Sequence, residues 1–180
     1  LQLIASIMNI QARNTESEEV KQAFREKTAR VLSIASINEL LAYGEGGPVA
    51  LKPFLEKLRQ NLTQLYDNEA SVKLLLEGDD LTADQEKATD IALVVNELVS
   101  NAFKHAFTGL TGGQVRVILK KGELFSSITV QDNGNGFDFN GKEGLGFGMS
   151  LVKMTVRDKL GGKLYLTSDR EGTSVTFDFR

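Results

Sequence analysis

The sequence of 180 residues predicts an α+β protein in which a two-helix hairpin precedes an α/β two-layer sandwich, with helices on one face of a mixed sheet. Three observations lead to this fold class. Apolar residues recur at helical spacing in the first part of the chain, a glycine-rich break follows, and the rest alternates between helical and strand periodicity. After the break, about five strands and three helices are predicted, and strands mostly adjacent in sequence favour a sheet covered by helices.

The first part of the chain is predicted to form a helix, a turn and a second helix. Residues 1–10 carry an apolar stripe, and Thr15 followed by Glu18 has the spacing of a capping box that would begin the second helix. The apolar positions of the second helix are Val20, Phe24, Val31, Ile34, Ile37 and Leu41. Because two such helices cannot cover each other's apolar sides fully, we expect a homodimer in which two hairpins form a four-helix bundle. The alternative is a hairpin that packs on its own C-terminal domain.

A break at residues 44–48, Gly-Glu-Gly-Gly-Pro, divides the chain. Glycine just past a helix end caps the helix, and three glycines with a proline cannot continue it. Residues 1–44 are therefore predicted to form the dimerisation hairpin, and residues 48–180 the second domain. In that domain the patterns predict a short strand over 49–51, helices over 53–65, 90–107 and 149–160, and strands over 72–76, 115–119, 124–131, 163–167 and 173–179. Thr82 with Gln85 marks the expected entry to the long helix.

The long helix over residues 90–107 carries the first group of candidate functional residues. The side that lies nearly opposite its apolar stripe bears Glu97, Asn101, Lys104 and His105. A carboxylate and an amide four residues apart, with a lysine one turn further on, suit a hydrated divalent cation that carries phosphates. The alternative is an ordinary solvated polar face on a core helix.

Two glycine-rich pieces bracket one loop further along the chain. The first, residues 132–136, follows a strand, so the Asp132 carboxylate is an acceptor at a strand end, suited to an exocyclic amine. The second, residues 144–150, leads into a helix whose free N–H groups and positive dipole end suit phosphate. Neither piece is a P-loop or a dinucleotide fingerprint, because Gly-Lys at 141–142 is followed by glutamate and the sixth position counted from Gly144 is methionine. Each piece alone is also consistent with a simple turn.

Composition narrows the classes of function. A net charge of −3 without a long basic run does not favour nucleic acid or an anionic membrane as a partner. No apolar run is long enough for a membrane span and no signal-peptide pattern is present, so we expect a cytoplasmic chain, or the cytoplasmic portion of a longer protein. The absence of cysteine excludes thiolate metal sites, and a single histidine excludes a metal cluster built on several imidazoles.

The ordered combination of these pieces resembles the ATP-binding catalytic domain of bacterial sensor histidine kinases, a Bergerat-type sandwich in the GHKL superfamily shared with gyrase and mismatch-repair proteins. Residues 97–105 resemble the N box of that domain, residues 132–136 its first glycine box and residues 144–152 its second. The Gly-Thr at 172–173 resembles the pair that completes the adenine pocket. Residues 1–11 are similar to the first helix of the type-2 HisKA subfamily, whose phosphoacceptor histidine would precede this sequence.

The resemblance implies roles for the polar residues of the long helix. Glu97 would orient or deprotonate the nucleophile, or hold a metal-bound water, and Asn101 would ligate Mg²⁺ that bridges the phosphates. Lys104 and His105 would contact phosphate oxygens. Although it is the only histidine, His105 is not expected to be the phosphoacceptor, because it lies within the implied ATP site. Phe103 and Phe107 are expected in the core and not as platforms for a base.

The resemblance also implies how adenine and the phosphates are enclosed. Asp132 would accept a hydrogen bond from the adenine amine, and Thr173 would support it. The other implied nucleotide-binding residues are Gly134, Gly136, Gly144, Gly146, Phe147, Gly148 and Met149. Only about seven residues separate the two glycine boxes, and a lid that short is expected to give modest ATP affinity.

The resemblance therefore predicts the catalytic core of a two-component sensor histidine kinase. With ATP and Mg²⁺ as cofactors, it would transfer the γ-phosphoryl group to a histidine outside this sequence, for relay to an aspartate of a response-regulator receiver domain. The expected partners are a second copy of the chain, the receiver domain and an upstream sensor domain, with neither nucleic acid nor direct membrane contact. Two alternatives remain open: a protein serine kinase acting on an anti-sigma-factor antagonist, which usually lacks the hairpin, and a non-enzymatic phosphotransfer or docking module.

Overall fold

The computed structural model describes residues 47–66, 72–137 and 147–180, together with residues 15, 17, 20, 21, 28 and 35. The chain divides into two compact units, Leu1–Gly44 and Glu45–Arg180. In the first unit the described residues 20, 21, 28 and 35 are helical. The predicted first helix, over residues 1–10, lies outside the described residues.

The start of the second predicted helix differs from the expected capping box. The N–H of Lys21 donates to the carbonyl of Ser17 at 2.9 Å, and the N–H of Val20 donates to the Ser17 hydroxyl at 3.4 Å. Both bonds make Ser17 the N-cap in place of Thr15, because a capping side chain accepts from the helix's first free N–H groups. Glu18, the other member of the expected box, lies outside the described residues.

The described part of the second unit contains three α-helices, one π-helix and seven strands. In chain order they are β1 (Val49–Ala50), α1 (Leu51–Tyr66), β2 (Val72–Gly78), β3 (Thr82–Ala83), α2 (Gln85–Asn101), the π-helix (Ala102–Ala106), β4 (Gly113–Lys120), β5 (Ser126–Asp132), α3 (Phe147–Asp158), β6 (Leu164–Asp169) and β7 (Gly172–Phe179). None of these described helices has both the length and the apolar character that crossing a bilayer requires.

Five of the strands form one mixed sheet in the order β2-β4-β5-β7-β6. Only β2 and β4 pair in parallel, and the other neighbours are antiparallel. Alternate strand residues are buried on the side of the helices, namely Leu74, Val115, Val117, Leu119, Ile128, Val130, Val175, Phe177 and Phe179. Each such side chain contributes about 1.5–3 kcal/mol through burial. Because the alternate residues on the other side of these strands are partly exposed, the helices cover one face, which confirms the predicted two-layer sandwich.

The entry to α2 is not the one that the sequence pattern indicated. Thr82 belongs to β3, which pairs with β1 in a small antiparallel ribbon. Asp84 caps α2 instead, because its Oδ1 accepts the N–H of Lys87 at 2.8 Å. Gln85 is the first residue of α2, as the pattern indicated, but the prediction that Thr82 caps the helix was wrong, since ribbon pairing between segments distant in sequence holds Thr82 in a strand.

The long helix also ends differently from the prediction, which extended one helix to residue 107. Regular α-helix ends at Asn101, and the next five residues form the π-helix, a rare element that is frequent at functional sites. The ring of Phe103 stacks on Tyr66 of α1, with centroids 4.9 Å apart and planes inclined by 5°. Phe103 and Phe107 are both buried, which confirms that they belong to the core.

Candidate functional site

The most distinctive polar group of the second unit is the carboxylate of Asp132, the last residue of β5. Asp132 follows Ile128 and Val130 on the inner face of the sheet, so its side chain points to the helical layer, and only 7% of the residue is exposed. Oδ1 accepts the N–H of Gly134 at 3.0 Å and the N–H of Thr173 at 3.2 Å. No residue in the described part of the chain donates to Oδ2, so this oxygen remains an acceptor for another donor.

The environment of this carboxylate perturbs its ionisation. Burial raises the pKa of Asp132 above its usual range, while the bonds from the Gly134 and Thr173 N–H groups act in the opposite direction. Burial has the larger effect, because two backbone donors on one oxygen do not replace the full hydration shell of a carboxylate. A partner that offers a further N–H donor to Oδ2 would therefore stabilise the ionised form.

The loop after β5 is held between two other elements by close backbone contacts. A Cβ on Gly134 would overlap the backbone of Ala106, whose carbonyl accepts the N–H of Asn135 at 2.8 Å. Gly136 has a φ of +60°, and a Cβ there would overlap the carbonyl oxygen of Asp169. Glycine is required at both positions, so the first glycine box is wedged between the π-helix and the β6–β7 hairpin.

The β6–β7 hairpin joins this loop through hydroxyl groups as well. The N–H of Phe137 donates to the Ser168 hydroxyl at 2.8 Å, and that hydroxyl lies 3.0 Å from Oγ1 of Thr173. Because the Thr173 N–H also bonds to Asp132, the strand ends and the loop form one connected network. Ser168 was not predicted as a site residue, since one small polar residue in an alternating strand gives no pattern.

The four polar residues of the long helix lie in different environments. Glu97 is buried in α2 with 3% of its surface exposed, Asn101 is the half-buried last residue of α2, and the π-helix carries half-buried Lys104 and exposed His105. An ordinary solvated face is therefore wrong for Glu97, because its carboxylate lies in the interior. Its burial leaves Asn101, Lys104 and His105 as the members of this group that reach the surface of the helix end.

Backbone contacts bring the helix end and the glycine box to the same edge of the sheet. The π-helix that follows Asn101 bonds to the loop after Asp132 through the Ala106 carbonyl, and Thr173 bonds to Asp132 itself. Of the second glycine box, Gly144 and Gly146 lie outside the described residues. Three further residues implied by the resemblance, Phe147, Gly148 and Met149, form the first turn of α3, which packs against α2.

The polar side chains of the long helix suit a metal ion that a bound ligand also holds. Within residues 47–66, 72–137 and 147–180, no group of three or more histidine, aspartate or glutamate side chains gathers to hold a metal. Magnesium usually keeps several waters and is bound through one or two protein groups together with substrate phosphates. The amide of Asn101, with the Glu97 carboxylate one turn before it, fits an ion that arrives with phosphates.

Comparison with known proteins identifies relatives of the chain. A family model described as histidine kinase-, DNA gyrase B-, and HSP90-like ATPase matches residues 86–180, and one described as histidine kinase matches residues 1–66. Sensor histidine kinase PdtaS of Mycobacterium tuberculosis is 28% identical over 179 residues, which are 97% of this chain and 36% of the relative. Blue-light-activated histidine kinase 2 of Erythrobacter litoralis is 28% identical over 134 residues, or 72% of this chain and 38% of the relative. The chain thus spans little more than a third of the length of these curated relatives.

Solved structures share the fold. The histidine kinase domain of the Erythrobacter litoralis EL346 blue-light activated histidine kinase superposes with a TM-score of 0.75 at 19% identity, covering 99% of this chain and 95% of that one. The histidine kinase AdeS of Acinetobacter baumannii gives a TM-score of 0.61 at 14% identity, covering 98% and 93%. At such identities the similarity concerns the fold, and it confirms the predicted fold class.

Proposed function

Because this chain belongs to the histidine kinase-, DNA gyrase B-, and HSP90-like ATPase family, we propose that it is the ATP-binding catalytic core of a two-component sensor histidine kinase. The chain binds ATP with Mg²⁺ and transfers the γ-phosphoryl group to a histidine that is not among its 180 residues. The observation that carries the proposal is the buried Asp132 carboxylate, with one oxygen bonded by two backbone N–H groups and the other left as an acceptor.

Adenine recognition follows from this acceptor. The exocyclic amine of adenine donates to Oδ2 of Asp132, and the hydrogen bonds on Oδ1 fix the carboxylate in orientation before the base arrives. Thr173, whose N–H bonds to Asp132, is proposed to support this contact. Gly134 and Gly136 let the loop pack tightly against the π-helix and the β6–β7 hairpin, which holds it beside Asp132.

Phosphate recognition is assigned to the helix end and to α3. Asn101 is the proposed Mg²⁺ ligand, and Lys104 with His105 contacts phosphate oxygens. The second glycine box, with Gly144, Gly146 and the α3 residues Phe147, Gly148 and Met149, is proposed to offer free N–H groups to the phosphates. Bound Mg²⁺ neutralises charge that develops on the phosphates during transfer.

Glu97 is the proposed catalytic residue of the chain. Its carboxylate orients the incoming imidazole, takes its proton, or holds a metal-bound water, and burial keeps it out of competition with bulk solvent. His105 is the only histidine and is assigned to the nucleotide site, so the acceptor histidine must come from outside these residues.

The first unit, Leu1–Gly44, is proposed to supply dimerisation. It falls within the residues that match the histidine kinase family model, and two such hairpins would bury their apolar stripes in a four-helix bundle. The proposed partners are a receiver domain, which takes the phosphoryl group on an aspartate, and an upstream sensor domain. We propose a cytoplasmic location for the chain.

Calorimetric titration of the chain with Mg·ADP tests nucleotide binding. We expect saturable heat with Mg²⁺, and no detectable heat would favour the non-enzymatic docking module. Incubation with γ-labelled ATP tests the acceptor: we expect no stable label on this chain, and an acid-labile, base-stable label would contradict the assignment of His105. Addition of a segment that carries the acceptor histidine should restore labelling, whereas labelling of an added serine substrate would favour the serine kinase.

A further inference from the structure

The hydroxyl of Ser168 connects the glycine box to the base-binding pair. Ser168 lies in β6 directly opposite Thr173 of β7. Its Oγ receives the N–H of Phe137 at 2.8 Å and lies 3.0 Å from Oγ1 of Thr173, whose N–H donates to Asp132. Ser168 therefore contacts both the residue after the glycine box and the proposed partner of Asp132.

The direction of the first bond follows from the protons available, and the second can run either way. The Phe137 N–H can only donate, so the Ser168 oxygen is an acceptor in that bond, and the single hydroxyl proton of Ser168 is still unused. Within the described residues, the only acceptor that bonds to Ser168 is Oγ1 of Thr173. When Ser168 donates there, the proton of the Thr173 hydroxyl is left to donate to a ligand.

This direction matters because it places a donor beside an acceptor. Asp132 presents a carboxylate oxygen, and Thr173, whose N–H bonds to the same carboxylate, presents a hydroxyl proton. Adenine offers the complementary pair at one edge, an amine that donates and a ring nitrogen that accepts. Hypoxanthine offers the reverse pair, a carbonyl oxygen and a ring N–H, and a reversed pair leaves polar groups unpaired in the site.

We propose that Ser168 is a positioning residue that sets base selectivity by holding the Thr173 hydroxyl as a donor. The inference rests on the proposed nucleotide function of the same site. Without the Ser168 hydroxyl, the Thr173 hydroxyl is free to rotate and can accept from the ring N–H of hypoxanthine. Loss of Ser168 should therefore reduce selectivity for adenine more than it reduces overall affinity.

The test compares ADP with inosine diphosphate, which differs from ADP at this edge, by calorimetric titration of the 180-residue chain with Mg²⁺. The variants are Ser168→Ala, Ser168→Thr, which keeps the hydroxyl, and Thr167→Ala, which removes an exposed hydroxyl from the neighbouring position of β6. We expect Ser168→Ala to lower the ratio of the two affinities by about threefold to tenfold, the effect of one hydrogen bond. Ser168→Thr and Thr167→Ala should keep the wild-type ratio.

The outcomes separate this inference from the proposed function. If Ser168→Ala weakens both nucleotides equally, or changes neither, Ser168 does not set selectivity and the inference is wrong while the proposed function stands. If the wild-type chain binds neither nucleotide, the proposed function fails and the inference fails with it. Melting temperatures of the unliganded variants show whether any loss comes from folding.

Discussion

Replacing Asp132 by asparagine should weaken nucleotide binding without destabilising the fold. The substitution keeps the shape of the side chain and leaves an amide oxygen to accept the N–H groups of Gly134 and Thr173. With that oxygen in place, an amide NH₂ occupies the position of Oδ2, so a donor faces the adenine amine where an acceptor stood. A hydrogen bond to a charged group contributes about 1.5–3 kcal/mol, which predicts ADP binding weaker by about tenfold to 150-fold.

The free energy of unfolding of the unliganded Asp132→Asn protein should rise or stay unchanged. Burial raises the pKa of Asp132, so the folded environment penalises its ionised form. Asparagine removes that penalty while still accepting both backbone bonds. Asp132→Ala, in contrast, leaves the N–H groups of Gly134 and Thr173 unpaired, and each such loss costs about 1–3 kcal/mol.

Titration calorimetry with Mg·ADP and thermal unfolding should be measured on the same preparations. Asp79→Asn is the matched control, because Asp79 also accepts a backbone N–H, from Lys121, but lies outside the candidate site. Asp132→Asn with wild-type ADP affinity would refute the assignment of Oδ2 as the adenine acceptor. A melting temperature that falls as far as in Asp132→Ala would instead refute the reasoning about the retained bonds.

Three further predictions concern the same site. Because the folded state raises the pKa of Asp132, the stability linked to its neutral form is present below the unfolded pKa and is lost as pH rises through the folded pKa. ADP binding needs the ionised form, so ADP affinity should fall as pH is lowered through that raised pKa. Calorimetric titration of Asp132→Asn with ADP should show no such fall. Gly136→Ala should lower the melting temperature and abolish ADP binding, because the new Cβ overlaps the carbonyl oxygen of Asp169 at positive φ. Gly161 has the same φ of +60° with open space around the Cβ, so Gly161→Ala should lower the free energy of unfolding by only about 1–2 kcal/mol. Equal losses of stability in the two variants would contradict this account. Tyr66→Leu removes the ring stacked on Phe103 of the π-helix and should therefore weaken ADP binding. Tyr66→Phe keeps the stack and should bind ADP as the wild type does. Equal ADP affinity of the two variants in calorimetry would show that the stack does not position the site.

The main sheet was predictable from the sequence because apolar and polar residues alternate regularly along its strands. Val115, Val117 and Leu119 of β4 face the core, and the same period marks β5 and β7. The short strand β1 was predicted, but β3 and its pairing with β1 were missed, because a two-residue strand has no period and the pairing joins residues far apart in sequence. That pairing also explains the wrong helix entry, since Thr82 looks like a cap only when its partner in β1 is unknown.

The candidate site was predicted from the sequence only in part. Asp132 and its glycines were identified because a carboxylate before a glycine-rich loop is a visible pattern. The π-helix was not predicted, because Phe103 and Ala106 fit an α-helical stripe equally well, and their contacts with Tyr66 and Asn135 involve segments far away in sequence. The roles of Glu97 and Asn101 remain predictions that binding and transfer assays must test.

The bond from Thr173 to Asp132 has a consequence for biosynthesis. Asp132 leaves the ribosome well before β7, yet one of the two N–H groups that orient its carboxylate belongs to Thr173 at the start of β7. A nascent chain that ends before β7 has the glycine box but not the hairpin against which that box is wedged. A nucleotide that binds this site can therefore stabilise only chains in which β7 is already present.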